Sequence, residues 1–362
     1  MISVRPAVWS DNQHLIDLTR IAPMNGVLSL RIDRHPNFWR LHKLRGDGSV
    51  FVAVMRGQIV GCISVAFPVV YIDGKAQTVG YAADLKVDPA HTGSRAALAL
   101  ILAVTEECRA RGVKTICCVV ADGNGRALSA LMSGRCGAPK FRSLGRFFVY
   151  QLFPTPRAPL HAGYNVQEVT RNELHEISRL CDDFNKAYQF APRRTVDDFS
   201  VPAWWNGMQW PLRVLAAREG GKLRATLCTF DTSEFKQNTL VDAPKPLRWA
   251  LTGLRWISRV LPYTVPKVGE SVRLLYVRNL AFQQGHERAL RSLLNYVRYA
   301  AYRQKYSFVT IGIHERDPMR LLVHGVIKYA VVSHGLVANS DGPEEGAPHE
   351  TTGIPMEDFA LV

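Results

Sequence analysis

Asp84 is a carboxylate on a stretch, Asp84 to Asn124, that otherwise reads as apolar strand, turn, apolar helix and apolar strand. So placed, it can take a proton from an amine or hold an ammonium, and it can equally be a hydrogen-bonded Asp at a kink in a sheet. A few residues on, Asp88 to Ala97 holds a Pro, a Gly and small residues just where a helix begins. N–H groups in the first turn of a helix have no partner within it, so such a turn can hold a phosphate. His91 lies beside this turn and is expected to be exposed.

The hexad Thr92, Gly93, Ser94, Arg95, Ala96, Ala97, led in by Val87, Asp88, Pro89, resembles the pyrophosphate loop Q/R-x-x-G-x-G/A of the Gcn5-related N-acetyltransferase (GNAT) superfamily. Thr92 stands for the usual Arg or Gln and Arg95 for the first Gly, while Ala97 fits the last small position. Downstream, Asn124, Ala127 and the run to Met132 resemble the family's N-x-x-A-x-x-L-Y segment, with Leu131 where many members carry a general-acid Tyr. The resemblance implies acetyl-CoA or another acyl-CoA as donor, its pyrophosphate on Thr92 to Ala97 near Asn124, and its pantetheine arm along the backbone of Leu85 and Val87.

These residues need elements to hold them, and 362 residues suffice for two domains of ordinary size. The expected order is a strand over Ile2–Arg5, a helix from Ser10 with Leu15, Leu18 and Ile21 on one face, and a helical region over Arg31–Leu44. A hairpin follows about Arg56 and Gly57, then another joining Val69–Ile72 to Thr78–Val87. After the central strand-turn-helix come a strand over Thr115–Val120, a helix from Asn124 and a strand over Arg146–Phe153, which is the GNAT order.

Past a Pro-rich linker the pattern restarts. Early positions match at a shift of 162 (Val4 with Val166, Val52 with Val214) and late ones at 193 (Arg95 with Arg288, Thr115 with Phe308), so the fold class is α/β with mixed sheets in two tandem GNAT-like domains. The divisions are 1–153, a linker over 154–163, and 164–362 with a helical insertion near 235–270. Within the insertion, Pro244 to Pro262 sets an aliphatic stripe against Arg and Trp, suiting a packed helix, a cover over a pocket, or peripheral contact with a membrane. Beyond Ser340 a Gly-, Pro- and Glu-rich connection leads to Met356–Val362, a candidate final strand. In the second copy the turn Gln283 to Ala289 is shorter and places Glu287 where it repels phosphate. By the shift from Leu131, His324 takes the position of the general-acid Tyr, and His314 closes the strand before it.

The formal net charge is +14, and residues 1–155 carry 19 Lys or Arg against 10 Asp or Glu. Such a field favours acidic partners: coenzyme A phosphates, an acyl carrier protein, tRNA or an anionic membrane. The seven cysteines lie in apolar surroundings without C-x-x-C or His at ligand spacing, so buried thiols and no metal are expected. With no apolar run long enough to span a bilayer and no leader, the expected compartment is the cytoplasm. Together these readings describe an N-acyltransferase moving an acyl group from a thioester, most simply acyl-CoA, to an amine-bearing acceptor, with Asp84 and His324 as candidate catalytic residues. The alternatives are the same chemistry with an acyl carrier protein or aminoacyl-tRNA as donor, and a non-catalytic GNAT-like binding or sensing module. Which copy works and the oligomeric state stay open.

Overall fold

The computed structural model describes residues 2–21, 29–157, 163–205, 209–242, 268–342 and 353–362; the Pro244–Pro262 stretch lies outside them. The first copy contributes strands β1 (Ile2–Pro6), β2 (Gly48–Met55), β3 (Gln58–Ala66), β4 (Gly80–Val87), β5 (Thr115–Ala121) and β6 (Arg142–Leu152). The second contributes β7 (Asn165–Glu168), β8 (Leu212–Glu219), β9 (Lys222–Asp231), β10 (Leu274–Phe282), β11 (Phe308–His314) and β12 (Lys328–Asn339). Helices are α1 (Asn12–Ile21), α2 (Trp39–Arg45), α3 (Ala96–Ala110), α4 (Gly125–Ser133), α5 (Leu174–Asn185) and α6 (Glu287–Arg303).

All twelve strands form one sheet, in the order β1-β2-β3-β4-β5-β12-β6-β11-β10-β9-β8-β7. The order reads the same from either end once each strand is exchanged for its counterpart in the other copy. The two inner strands are traded: β6, the last of the first copy, pairs with β11 and β12, and β12, the last of the second, pairs with β5. Each copy's sheet is therefore completed by the other copy. The fold is a duplicated α/β architecture built on mixed pairing, with β4–β5 and β10–β11 parallel and the remaining neighbours antiparallel.

Local rules account for the helices that matter most. In α3, Ala96, Leu100, Val104 and Cys108 recur every four residues, so one stripe packs on Ile63, Val65 and Ile116 of the sheet. In α6, Leu290, Leu293, Leu294, Val297 and Ala301 do the same against Leu227 and Val309. Each such leucine contributes about 1.5–3 kcal/mol relative to exposure.

Several expectations need correction. Arg31–Leu44 is helical only over α2; Ser29–Asp33 is a strand, because Pro36 interrupts a helix there and Gln237–Asp242, some two hundred residues away, supplies its partner. Val69–Ile72 pairs with Lys75–Thr78, and Gly80–Val87 joins the main sheet instead. The final strand of the second copy is β12, while Met356–Val362 is irregular and follows a two-residue bridge, Ile354–Pro355, to Tyr188–Gln189. The hairpin turns, Arg56-Gly57 and Gly220-Gly221, set the early shift at 220 minus 56, or 164, two more than the sequence match. Six of the cysteines are buried; Cys136 is exposed.

Candidate active site

Strand β4 pairs with β5 only at Gly80–Ile116 and Tyr81–Cys117, after which the two diverge. β4 breaks its regular geometry at Asp84. There φ is +56°, and the β3–β4 register slips between Cys62 and Ser64, so the strand bulges. β5 continues straight because β12 pairs along its whole length. Between the two strands lies a cleft of about 200 Å³. Asp84, Arg34 and Arg45 line one end, and Ile101, Val104, Leu131 and Phe141 line the apolar remainder.

The polar end is a buried ion cluster. Asp84 accepts from Arg34 Nη1 at 2.7 Å, from Arg45 Nη1 and from Ser64 Oγ at 2.9 Å. Arg34 is 1% exposed and Arg45 6%. Burial alone pushes the Asp84 carboxyl up, but the two guanidinium charges and their hydrogen bonds outweigh it and hold the group well below the usual carboxylate range. Lys236, from the second copy, is buried nearby and donates to the Val362 carbonyl; burial, with repulsion from Arg45 and Arg34, pulls its ammonium down to about 7. Lys86, also lining the cleft, is lowered by burial against the pull of Asp84.

At the N-terminus of α3 lies the turn where a phosphate site was expected. Pro89–His91 forms a single 3₁₀ turn capped by Asp88, whose side chain accepts from Ala90 N at 2.9 Å. Gly93 has φ +88° and open space where a Cβ would stand, and Ser94 Oγ accepts from Ala96 N at 3.4 Å. Among the described residues the amides of Gly93, Arg95, Ala97 and Leu98 meet no backbone acceptor, while Thr92 and Arg95 are exposed. His91 is half-buried, 3.6 Å from Asp88. Further along α3, Ile101, Val104 and Thr105 wall the cleft, about 6 Å of helix rise beyond Ala97.

Of the residues expected from sequence, the cleft gathers Asp84, Leu85 and Asn124, and Asn124 also caps α4 by accepting from Ala127 N at 3.3 Å. Val87 packs into the first copy's core instead, and Leu131 presents a hydrocarbon wall where a Tyr hydroxyl was looked for. Two expectations are corrected. Asp84 has both oxygens engaged by arginines, so its basicity is too low for a general base. His324 is exposed at the end of a 3₁₀ turn and is not among the cleft's lining residues; His314 is buried, its Nε2 2.9 Å from the Leu144 carbonyl. The sequence reading missed Arg34, Arg45, Lys236 and Tyr81, which lie on separate elements and carry no local signature.

The second copy repeats the bulge with Asn279, φ +49°, at the place of Asp84. Its opening between β10 and β11 is filled by the chain's own residues: Phe359 lies on Gly312 and Asp358 meets Arg278 at 2.6 Å, leaving about 40 Å³. Among the described residues, the opening at the bulge stays free in the first copy and is filled in the second.

Residues 17–133 match the Acetyltransferase (GNAT) family model. The match covers about a third of the chain. No curated protein matches the sequence. In structure, the chain is similar to Saccharomyces cerevisiae N-myristoyltransferase with bound myristoyl-CoA: 9% identity, 98% of this chain and 89% of that one covered, TM-score 0.64. It is also similar to a GCN5-related N-acetyltransferase from Anabaena variabilis, with 11% identity, 93% and 72% covered, and TM-score 0.54. One from Kribbella flavida gives 12%, 93% and 70%, and 0.53. At these identities the likeness is one of fold, and it extends over both GNAT-like copies.

Proposed function

We propose that the protein is an N-acyltransferase whose donor, an acyl-CoA, occupies the first copy. The observation that carries this reading is the open cleft between β4 and β5, with free amides of α3 at one side and a buried cationic cluster at its inner end. The amides of Gly93, Arg95, Ala97 and Leu98 would take the pyrophosphate, with Thr92, Ser94, Ala96 and the exposed Arg95 around it, and the backbone of Leu85 and Val87 would follow the pantetheine arm beside Asn124. The apolar walls at Ile101, Val104, Leu131 and Phe141 suit an acyl chain longer than acetyl. The copies divide, on this reading, at 1–153 and 164–362.

In the reaction the amine lone pair attacks the thioester carbonyl carbon, the C–N bond forms, the C–S bond breaks, and the amine proton leaves with the thiolate. Arg34 and Arg45 pair with Asp84, Lys86 lines the same cleft and Lys236 is buried nearby. Their field favours a neutral, nucleophilic amine over an ammonium, and stabilises the oxyanion and thiolate as they form. Asp84 is a positioning residue here, because it holds the two arginines in place.

Calorimetric titration with acetyl-CoA and with a long-chain acyl-CoA, at two salt concentrations, tests the donor site. One equivalent is expected to bind, the long chain more tightly, and Gly93→Asp is expected to weaken both at least tenfold. Gly93→Ala, which meets open space, is expected to cost only the strain of a positive φ. Unchanged binding in Gly93→Asp would overturn the assignment of the first copy. The net charge of +14 supports a second reading with an acyl carrier protein or aminoacyl-tRNA as donor, for which activity would fall steeply with salt. The hydrocarbon of Leu131 favours a binding-only module, for which donor binding without turnover on any amine is the signature.

A further inference from the structure

A second cavity, about 480 Å³, opens between the copies and shares Tyr81 and Arg45 with the donor cleft. One side is the strand pair that joins the copies, Tyr71–Ala191 and Val70–Pro192, and the walls include Val70, Val79, Phe190, Met356 and Leu361. The charged groups facing it are Lys43, Arg45, Arg193, Arg194, Asp198, Glu357 and Asp358.

Most of these are already committed. Arg45 serves Asp84 and donates to the Leu361 carbonyl at 2.6 Å. Arg194 lies 3.2 Å from Asp198 and 3.5 Å from Asp358, and Asp358 is also 2.6 Å from Arg278. Glu357 is half-buried beside the Tyr81 hydroxyl; burial, with Asp358 adding to it, pushes it up to about 8. What remains is Lys43, with its ammonium 5.6 Å over the Trp204 ring, and Arg193, both exposed and neither ion-paired among the described residues.

We infer that this cavity receives the acceptor, and that the acceptor is an amine bearing an anionic group, a carboxylate or a phosphate. Lys43 and Arg193 hold the anion at the rim, the aliphatic body lies along Val70, Val79 and Met356, and the amine reaches Tyr81 and Arg45, where the cavity meets the donor cleft. A polyamine is repelled by the same charges. The inference rests on the acyltransferase reading for its chemistry, but the cavity's preference for an anion stands on its own lining.

The test uses the full chain, an acyl-CoA, and matched acceptors: α-, β- and γ-amino acids against their amides, phosphoethanolamine against ethanolamine, and spermidine. Thiol release is expected to be at least tenfold faster, in kcat/KM, with the anionic member of a pair. The paired carboxylate and phosphate series distinguish the two sources of charge. In Lys43→Glu/Arg193→Glu the preference is expected to shrink to within twofold, through KM, with acyl-CoA affinity unchanged. Equal use of neutral partners, faster use of spermidine, or a preference retained in the double variant would overturn the inference. Should no amine be acylated, calorimetry with the same anionic amines reads the cavity directly: binding lost in the double variant upholds it while the acyltransferase reading fails, and absence of binding sinks it.

Discussion

Asp84 has a carboxylate's chemistry in the sequence and a counter-ion's role in the structure. Two buried guanidinium groups, 1% and 6% exposed, depend on it. Asp84→Asn should therefore destabilise the protein by about 3–5 kcal/mol, the cost of leaving a buried charge without its partner, as measured by denaturant unfolding. An unchanged unfolding midpoint would mean the cluster is hydrated and loosely held. Glu357 makes the opposite case, since its proton is the stabilising element. With the folded value raised from 4.5 to about 8, its contribution is full below pH about 4.5 and is lost as pH rises through about 8. Comparison of wild type with Glu357→Gln by thermal unfolding should show the wild type losing stability over that window relative to the variant, on the order of a few kcal/mol. Parallel curves would refute it. Arg34, Arg45 and Tyr81 come to these carboxyls from other elements, and only Asp358, beside Glu357, is a neighbour in sequence.

Elements explain why one copy has a cleft and the other does not. Both copies diverge at a bulge after their third strand, with Asp84 and Asn279 at the turning point. In the second copy the segment around Phe359 fills the gap, its ring 5.5 Å from Phe147 and against Gly312. Phe359→Ala should cost about 3–5 kcal/mol, because the ring is 8% exposed and nothing else occupies its place. Donor binding in the first copy should persist in that variant under native conditions, and its loss would show the two openings to be coupled. The turn before α3 was legible from residue types alone, since Asp88, Pro89, Gly93 and small residues before an apolar helix are local chemistry. The strand over Ser29–Asp33 was not legible, because its partner lies in the second copy.

At the scale of the molecule the two copies are a single sheet. The exchange of β6 and β12 means that residues 1–153 alone lack the partners of β6, and 164–362 alone lack the strand between β11 and β12. Each half produced by itself should aggregate or associate through its unpaired edges, while co-expressed halves should assemble one to one, as read by size-exclusion chromatography and circular dichroism. A folded, monomeric N-terminal half would refute this dependence. The acceptor cavity also belongs to this scale, since its walls come from both copies and its charge balance from groups on several elements.

The amino-acid sequence by itself determined long helices such as α3, the hairpin turn at Arg56-Gly57, the duplication and the turn before α3, because periodicity, caps and breakers act over a few residues. Only the tertiary structure decided the strand exchange, the ion cluster around Asp84, which opening stays free, and what lines the cavity between the copies. Those depend on contacts such as Arg45 with Leu361 and Arg34 with Asp84, across separations for which a single chain of letters carries no distance information.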